Sequence, residues 1–449
     1  MSESAGRGCD ARHRWMLRLY SLAMALAVTC LLRPHRWLRR LAGREDRQTL
    51  HQLLGEPDRG RAMRPDLVIH AVSAGEMVAA GAIIRQLEPL RPDLRLLLTT
   101  GTAAGLALGR TLQRELPCIG DLSLLPWDRA GAMHRWLEHL SPRALVVVET
   151  ELWPNLFDTC RDLGIALAVV SGRLYPGDVW KYRLIRGFMA QVLACPQWVG
   201  VQDETERDRF LRVGADPRRL TVLGNAKFAS PPSPRLAPHR FRGADDRPAR
   251  LIVAGSTHAP EEAWLLDVLP DVIDACPTAR LVLAPRHPER AASLARIATR
   301  RGWRCCRFSR DDWRNATWNV LILDRMGQLT PFYAGAEVVV MGGSLANCGG
   351  HNFLEPAWFA RPILVGSHLG HFENVARRFF EHGALCPARN RAELAAGLTT
   401  LLGDPGLAMD LGRKARECAE REGEGAGGYG QAVADLLNAG PMTRRCPQD

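Results

Sequence analysis

The stretch Val338-Val339-Val340-Met341-Gly342-Gly343-Ser344-Leu345, continued by Gly349-Gly350-His351-Asn352-Phe353-Leu354-Glu355-Pro356, decides the fold of this chain. Its four leading apolar residues are typical of a strand buried on both faces of a parallel sheet. Glycines and a hydroxyl come next, and then Asn352, Glu355 and Pro356, which favour the start of a helix. Backbone amides freed by such a turn can bind a phosphate, and a carboxylate one helical turn later can hold a ribose diol. Taken alone, the stretch also fits a plain glycine turn between a strand and a helix.

The same alternation of short apolar runs and helical stretches fills the chain from residue 66 onward. It predicts an α/β fold with doubly wound parallel sheets. A proline-rich segment interrupts the series, because prolines are not tolerated inside strands or helices. We therefore predict two Rossmann-like domains, over residues 46–228 and 250–449, joined by a linker over 229–249. Strands are predicted at 67–72, 94–100, 144–148, 165–170, 199–202, 220–223, 251–254, 281–284, 320–323, 338–341 and 362–365, and a helical tail at 405–439 with a break at 423–428.

Composition narrows the choice of partner. The 449 residues carry a formal net charge of +11, which favours an acidic partner such as nucleic acid, an anionic membrane surface or an anionic lipid head group. No helix-turn-helix, zinc-finger or aromatic sheet signature accompanies the charge, so we expect no nucleic-acid partner. The 12 cysteines show no C-x-x-C spacing, which is typical of reduced thiols. No two aspartates form a D-x-D pair, so we predict no metal site and no cofactor.

The N-terminal segment, residues 1–45, carries a membrane signal. Leu19–Leu32 is an uncharged, largely apolar run of 14 residues. A spanning helix needs about 20 apolar residues, so an interfacial helix held by apolar burial and arginine contacts fits better. A short span and a helix packed on the domain surface stay open as alternatives. The flanking cations are Arg12, Arg14 and Arg18 before the run, and Arg33, Arg36, Arg39 and Arg40 after it.

Polar residues follow the predicted strands of the first half. Ser73-Ala74-Gly75-Glu76 comes after the first strand, and a carboxylate at a helix start could act as a general base, although helix capping alone also explains it. Glu149 and Glu151, after the strand at 144–148, could position hydroxyl groups or could belong to a solvated turn. Arg173 follows the next strand and could meet an acidic sugar.

The second half repeats this arrangement. Ser256 and Thr257 follow the strand at 251–254 and precede a predicted helix, as a phosphate site requires, although these hydroxyls also suit a simple helix cap. Arg286 and His287 follow the next strand, where a basic surface turn is the alternative. Lys227 lies at the predicted domain junction, where its ammonium group could reach a bound anion.

In this order, the motifs H-A-V-S-A-G-E (70–76), E-T-E-L-W-P-N (149–155), G-N-A-K-F (224–228), G-S-T-H (255–258), P-R-H-P-E-R (285–290) and G-G-S-L…G-G-H-N-F-L-E-P (342–356) resemble those of the 3-deoxy-D-manno-octulosonic acid (Kdo) transferases. These are the lipid A enzymes of Gram-negative bacteria. The resemblance covers residue 17 to about residue 390. It implies a GT-B glycosyltransferase with a membrane-associated N-terminal helix, an acceptor domain, a CMP-sugar domain and a cleft between the two domains.

The resemblance also implies an activity. Kdo would pass from CMP-Kdo to a lipid A precursor (lipid IVA) with inversion and without a metal, at the cytoplasmic side of the inner membrane. Glu76 would be the general base. The implied acceptor-side residues are Ser73, Gly75, Glu149, Glu151 and Arg173, and the implied donor-binding residues are Lys227, Ser256, Thr257, Arg286, His287, Met326, Gly327, Gly342, Gly343, Ser344, Asn352 and Glu355.

Departures from the family pattern leave two alternatives open. Gln328 stands where the family usually has Glu after Gly327, and Tyr175 and Asp178 replace the two serines of an A-R-x-S-x-x-S segment. A divergent transferase with another CMP-activated acidic sugar or another acceptor is the first alternative. A non-catalytic lipid- or nucleotide-binding relative is the second.

Overall fold

The computed structural model describes residues 2–32, 47–56, 64–229, 238–239, 241, 248–311, 313–314 and 317–439. The chain divides into two compact units, Met1–Ser230 with Glu422–Asp449, and Pro231–Arg421. Both units are α/β and each contains a parallel sheet of seven strands. The predicted linker, 229–249, lies largely outside the described residues.

The first unit is built around strands that are buried on both faces. β1 and β4 contain only buried side chains, which explains their near-continuous apolar sequences. The strand order is β3-β2-β1-β4-β5-β6-β7, so the order reverses between β1 and β4, where ligands of such sheets bind. The strands are β1 Leu67–His70, β2 Leu96–Thr100, β3 Ile119–Leu124, β4 Ala144–Val148, β5 Ala166–Gly172, β6 Trp198–Val201 and β7 Leu220–Val222.

Helices cover both faces of this sheet and leave its carboxyl edge open to loops. The loops after β1, β4 and β5 contain the polar residues that the motifs single out. The helices, in chain order, are α1 Ser2–Ala27, α2 Arg47–Leu53, α3 Ala74–Leu87, α4 Ala103–Glu115, α5 Ala130–Leu140, α6 Pro154–Leu163, α7 Pro176–Leu184, α8 Arg186–Val192 and α9 Glu204–Val213.

The second unit repeats the plan with strand order β10-β11-β9-β8-β12-β13-β14. Its order reverses between β8 and β12, and the glycine turn that follows β12 lies at that point. The strands are β8 Arg250–Thr257, β9 Ala279–Pro285, β10 Cys305–Arg307, β11 Val320–Ile322, β12 Ala336–Met341, β13 Ile363–Val365 and β14 Cys386–Pro387. The helices are α10 Glu261–Ala275, α11 Ala291–Arg300, α12 Thr330–Gly335, α13 Leu354–Ala357, α14 Glu373–Glu381, α15 Arg391–Gly403, α16 Pro405–Ala426 and α17 Tyr429–Ala439.

The end of the chain corrects the predicted boundary of the second domain. Residues 250–449 were expected to form that domain, but α17 packs on the first unit. The Tyr429 hydroxyl donates to the carbonyl oxygen of Gly224 at 2.8 Å, and the Gly430 amide donates to Gln86 Oε1 at 3.0 Å. Apolar side chains of α17 join the core beside α3, which is the physical reason for this return.

The N-terminal helix α1 has two different faces. Met16 and Leu17 pack against the core of the first unit, and Ser21 Oγ donates to Asn155 Oδ1 at 2.6 Å. The other face exposes Trp15, Leu19, Leu22 and Leu26 at 62%, 46%, 58% and 56%. In the part of the chain that the structure describes, no helix is both long enough and apolar enough to cross a bilayer. Residues 33–46, with four arginines that were assigned to membrane contact, lie outside that part.

Candidate active site

The proposed base lies in the first turn of α3. Ser73 caps the helix, and Glu76 closes a capping box with it: the Ser73 amide donates to Glu76 Oε2 at 3.0 Å, and the Glu76 amide donates to Ser73 Oγ at 3.4 Å. Glu76 is only 9% exposed. The cap therefore fixes the direction of this carboxylate at the carboxyl edge of β1.

A second carboxylate and a lysine complete this cluster. Glu149 is buried and adopts a left-handed backbone conformation (φ +62°) after β4. Its Oε1 atom forms an ion pair with Lys227 Nζ at 2.5 Å. A Cβ atom added at Gly75 would lie 3.7 Å from the same Nζ, so glycine keeps space open beside the ammonium group. The loop conformation after β4 thus brings Glu149 to Lys227. We call Glu76, Glu149, Glu151 and Lys227 the carboxylate cluster.

Burial and mutual repulsion shift the ionisation of the cluster. Burial raises the pKa of Glu76, and the charge of Glu149 raises it further, while hydrogen bonds from backbone amides and the charge of Lys227 oppose that rise. Burial, followed by the charge of Glu76, raises the pKa of Glu151 to about 7. A carboxylate with a raised pKa is a stronger base than an exposed one, and it can still be ionised near neutral pH. The cluster can accordingly accept a proton from a hydroxyl group.

Other residues of the same motifs are structural. His70 is fully buried in β1, with Nδ1 3.0 Å from Thr99 Oγ1, and burial lowers its pKa to about 3. Asn155 is buried and donates through Nδ2 to the Asp128 carbonyl oxygen at 2.7 Å. Arg173 lies over the ring of Tyr175, 4.9 Å from its centre, and has no contact with the carboxylate cluster among those that the structure describes.

In the second unit, two glycines shape the turn after β12. A Cβ atom at Gly342 would lie 2.3 Å from the Ser256 carbonyl oxygen, and Gly343 has φ +70°. Ser344 is fully buried: its hydroxyl donates to the Met341 carbonyl oxygen and accepts from the Gly366 amide at 2.8 Å. The Ser344 hydroxyl therefore fixes the turn and does not face a ligand.

The expectation that the amides of this turn bind an external anion is wrong for three of them. The amides of Gly343, Leu345 and Ala346 donate to the carboxylate of Glu261 at 2.9, 3.0 and 2.9 Å. Glu261 is 1% exposed and also accepts from the His258 amide at 2.8 Å. The helix after the turn, α13, has only 4 residues, so its helix dipole is too small to attract an anion. In the sequence, Glu261 is recognisable only as an acidic residue in the first turn of a predicted helix. Its distance along the chain from the glycine turn does not indicate that its carboxylate binds the amides of that turn.

The remaining donor residues take several positions around this turn. Thr257 is buried and its hydroxyl donates to Glu262 Oε1 at 3.2 Å, while Glu262 also accepts from Arg290 Nη1 at 2.7 Å. Glu355 accepts a hydrogen bond from the Thr330 hydroxyl, and burial raises its pKa. Five others are placed by a backbone contact or by exposure. Asn352 Oδ1 accepts from the Leu354 amide at 3.1 Å, Arg286 and His287 are exposed after β9, and Met326 and Gly327 are exposed after β11.

Two histidines meet beside the glycine turn: His258 of the G-S-T-H motif, whose residues suggest a phosphate site, and His351 of the glycine-rich motif. His258 Nε2 lies 2.9 Å from His351 Nε2, and the rings stack with their centres 5.1 Å apart and 10° between their planes. His287 approaches His258 edge-on at 5.8 Å. A Cβ atom at Gly343 would lie 2.9 Å from His351 Cδ2, so the His351 ring covers the turn. The histidine of the G-S-T-H motif was the available signal, but its partner could not be identified from sequence spacing.

A cavity of about 810 Å³ opens at the same edge of the second sheet. Its lining includes Asn347 and Gly349 from the glycine turn, His368 after β13, and the arginines Arg377 and Arg389. In the described part of the chain, no group of three or more His, Cys, Asp or Glu side chains could hold a metal ion.

Comparison with known proteins assigns the family. A family model described as "3-Deoxy-D-manno-octulosonic-acid transferase (kdotransferase)" matches residues 35–230. The chain is 31% identical to the 3-deoxy-D-manno-octulosonic acid transferase of Bordetella pertussis over 356 residues. The aligned region covers 78% of this chain and 82% of that relative. The chain belongs to the Kdo transferase family. Another Kdo transferase, from Haemophilus influenzae, is 30% identical over 322 residues, or 70% of this chain and 74% of that relative.

A solved structure supports the fold of this Kdo transferase family member. UDP-GlcNAc 2-epimerase of Neisseria meningitidis, bound to UDP-GlcNAc, is similar with a TM-score of 0.56, covering 83% of this chain and 99% of that chain. The two share 11% sequence identity, so the likeness concerns the fold alone. Two Rossmann-like units with parallel seven-stranded sheets correspond to the predicted GT-B class.

Proposed function

We propose that this Kdo transferase family member moves Kdo from CMP-Kdo to a lipid A precursor (lipid IVA) with inversion at the anomeric carbon. The observation that carries the proposal is the placement of Glu76. Its carboxylate is fixed by a helix cap, has a raised pKa and lies in one cluster with Glu149 and Lys227. A one-step inverting transfer needs such a base beside the attacking hydroxyl group.

In the proposed step, the acceptor hydroxyl oxygen forms a bond to the anomeric carbon of Kdo while its proton passes to Glu76. The bond from that carbon to the phosphate oxygen of CMP-Kdo breaks, and its electron pair stays on the phosphate. CMP leaves with one more negative charge than the phosphate had in the donor. Lys227 forms an ion pair with Glu149, and its positive charge offsets the negative charge of the carboxylates around Glu76.

Donor binding is assigned to the second unit. The half-buried carboxylate of Glu355 has a hydroxyl partner in Thr330 and suits a ribose diol. The cavity beside the glycine turn has space for an acidic sugar, and the guanidinium groups of Arg377 and Arg389 line it. Guanidinium groups bind carboxylates in a forked geometry, which matches the carboxylate of Kdo.

Membrane association is assigned to the exposed face of α1. Trp15, Leu19, Leu22 and Leu26 are spaced so that they form one stripe along a helix, and the exposed Arg14 and Arg18 adjoin it. An apolar stripe with flanking arginines is typical of a helix that lies in the interface of an anionic bilayer. We place this face on the cytoplasmic side of the inner membrane, where a lipid acceptor would be presented.

The deciding experiment combines purified full-length protein, CMP-Kdo and lipid IVA, with product mass as the readout. Glu76→Gln is expected to lower kcat by about 10²- to 10⁴-fold, the range for loss of a general base, while CMP affinity stays within about twofold. Glu138→Gln, on the exposed surface of α5, is the matched control and should keep full activity. Substantial turnover by Glu76→Gln would remove Glu76 from the role of base.

The same assay tests the alternative donor. Tyr175 stands where the family pattern has serine, and it holds the guanidinium group of Arg173 over its ring. Other CMP-activated acidic sugars are therefore compared with CMP-Kdo at equal concentration. Faster transfer from one of them would assign a divergent donor, and no product from any donor would favour a non-catalytic relative.

A further inference from the structure

The donor turn contains an unexpected negative charge. Glu261 takes three amides of the turn that would otherwise be available to a phosphate, so its carboxylate lies where the phosphate was expected. A second anion next to this carboxylate is repelled unless a cation lies between them. A side chain beside the turn could supply that cation, and the His351 ring lies against the turn, where a Cβ atom added at Gly343 would be 2.9 Å from its Cδ2.

We propose that His258 and His351 form a proton-accepting pair that binds the phosphate of CMP-Kdo and stabilises the departing CMP. This inference rests on the proposed function. The carboxyl end of β8 leads into His258, and the loop after β12 supplies His351, so the pair lies at the point where the strand order of the second sheet reverses. Ligands bind at such points in doubly wound sheets.

The geometry of the pair explains why it takes up a proton. Because the two Nε2 atoms lie 2.9 Å apart, one ring donates and the other accepts, and the neutral pair leaves one Nδ1 without a proton. One added proton leaves the Nε2 contact intact and makes both Nδ1 atoms donors. The pair then has a charge of about +1, which attracts a phosphate. A second added proton would place two N–H groups against each other, so the pair accepts one proton only.

The neighbours of the pair set the pH at which this occurs. Burial lowers the pKa of His258, and the charges of His287 and Arg290 act in the same direction, while Glu261 and Glu262 oppose them. In the free protein these effects on balance favour the uncharged form of His258. An arriving phosphate adds negative charge and favours the protonated pair, so binding is coupled to proton uptake.

The transfer step increases this effect. Breaking the bond between the anomeric carbon and the phosphate oxygen leaves an additional negative charge on CMP. The cationic pair interacts more strongly with that product-like charge than with the monoanionic donor. It therefore stabilises the transition state more than the bound substrate, which is the requirement for catalysis.

The test uses His258→Gln and His351→Gln in the full-length protein, because glutamine retains a hydrogen-bonding nitrogen near the Nε2 position but does not protonate. Calorimetric titration with CMP in buffers of different ionisation enthalpy gives the number of protons taken up. Wild type is expected to take up close to one proton more than either variant at pH 7.5. The variants are expected to bind CMP about 10- to 100-fold more weakly, the range for a lost charged hydrogen bond.

Two comparisons separate this role from a structural one. Cytidine, which lacks the phosphate, should bind the variants and wild type equally, and His382→Gln, an exposed histidine of the same unit, should behave as wild type. Equal proton uptake in all proteins, or parallel loss of cytidine and CMP binding, overturns the inference. If wild type transfers Kdo while the variants keep normal CMP binding, the proposed function stands without it. If wild type neither binds CMP nor forms product, the proposed function itself fails.

Discussion

At the residue scale, the molecule uses acidic side chains in two ways. Glu261 accepts hydrogen bonds from four backbone amides and fixes a turn, whereas Glu76 closes a helix cap and lies beside the other members of the carboxylate cluster. A buried carboxylate beside other carboxylates keeps its proton more readily, which accounts for the raised pKa of Glu76. Two glutamates at helix starts thus acquire different chemistry from their surroundings.

The neighbours of Glu76 predict opposite changes in the pH profile. As the proposed base, Glu76 would act only when ionised, so its pKa is expected to set the acid limb of kcat/KM. Lys227→Met removes the charge that lowers this pKa and should move the limb to higher pH. Glu149→Gln removes a charge that raises the pKa and should move the limb to lower pH.

The measurement is the profile of kcat/KM from pH 4 to pH 8 for the two variants and wild type. Arg207→Met, an exposed change at the surface of α9, is the control and should leave the limb in place. Shifts of the two variants in the same direction would show that Glu76 does not titrate in this limb.

At the element scale, α1 combines a packed face with an exposed apolar stripe. Leu22→Glu with Leu26→Glu puts two charges into the face assigned to the membrane, and should abolish binding to vesicles that contain anionic lipid. These side chains are 58% and 56% exposed, so unfolding of the protein should be almost unaffected. Flotation of the protein with vesicles measures the binding.

Met409→Glu is a matched control for this prediction, because Met409 is 75% exposed but lies on α16 in the second unit. The Met409→Glu variant should float with the vesicles to the same extent as the wild-type protein. Normal flotation of the α1 variant would show that the stripe does not contact lipid.

Elements were predicted well where the apolar pattern is continuous and poorly where it is broken. β4 was predicted with the correct limits because all five of its residues are apolar and buried. β3 was missed, since Gly120 and Asp121 interrupt its apolar run and it lies at the edge of the sheet. β14 has two residues, too few for any periodicity.

Site residues show the same limit. Ser73 and Glu76 were predictable as a pair because a capping box joins positions three residues apart. The pairing of Glu261 with the glycine turn joins residues more than 80 positions apart in sequence, and that of His258 with His351 joins residues 93 positions apart. Only the packing of β8 beside β12 brings these groups together, so sequence spacing alone could not reveal them.

At the scale of the whole molecule, the first unit is discontinuous in sequence. Apolar side chains of α17, including Tyr429, Val433 and Leu437, complete the core beside α3. A chain that ends at Arg421 lacks these contacts and should be destabilised in the first unit by roughly 5 kcal/mol or more, since each such side chain contributes roughly 1.5–3 kcal/mol.

Hydrogen exchange measured by mass spectrometry tests this prediction unit by unit. Peptides from α3 and β5 should lose protection in the shortened protein, while peptides from β8 and β9 should keep it. A chain that ends at Gly440 retains α17 and should match wild type. Unchanged protection of α3 in the chain that ends at Arg421 would contradict the structural role of α17.

The return of α17 to the first unit also has a consequence for biosynthesis. Translation proceeds from the amino end, so the second sheet can close on the ribosome before the first has received its final helix. Until release, the groove that awaits α17 is an apolar surface open to chaperones or to aggregation. Slow termination, or a stop codon shortly before residue 429, would therefore be expected to damage the early part of the protein more than the late part.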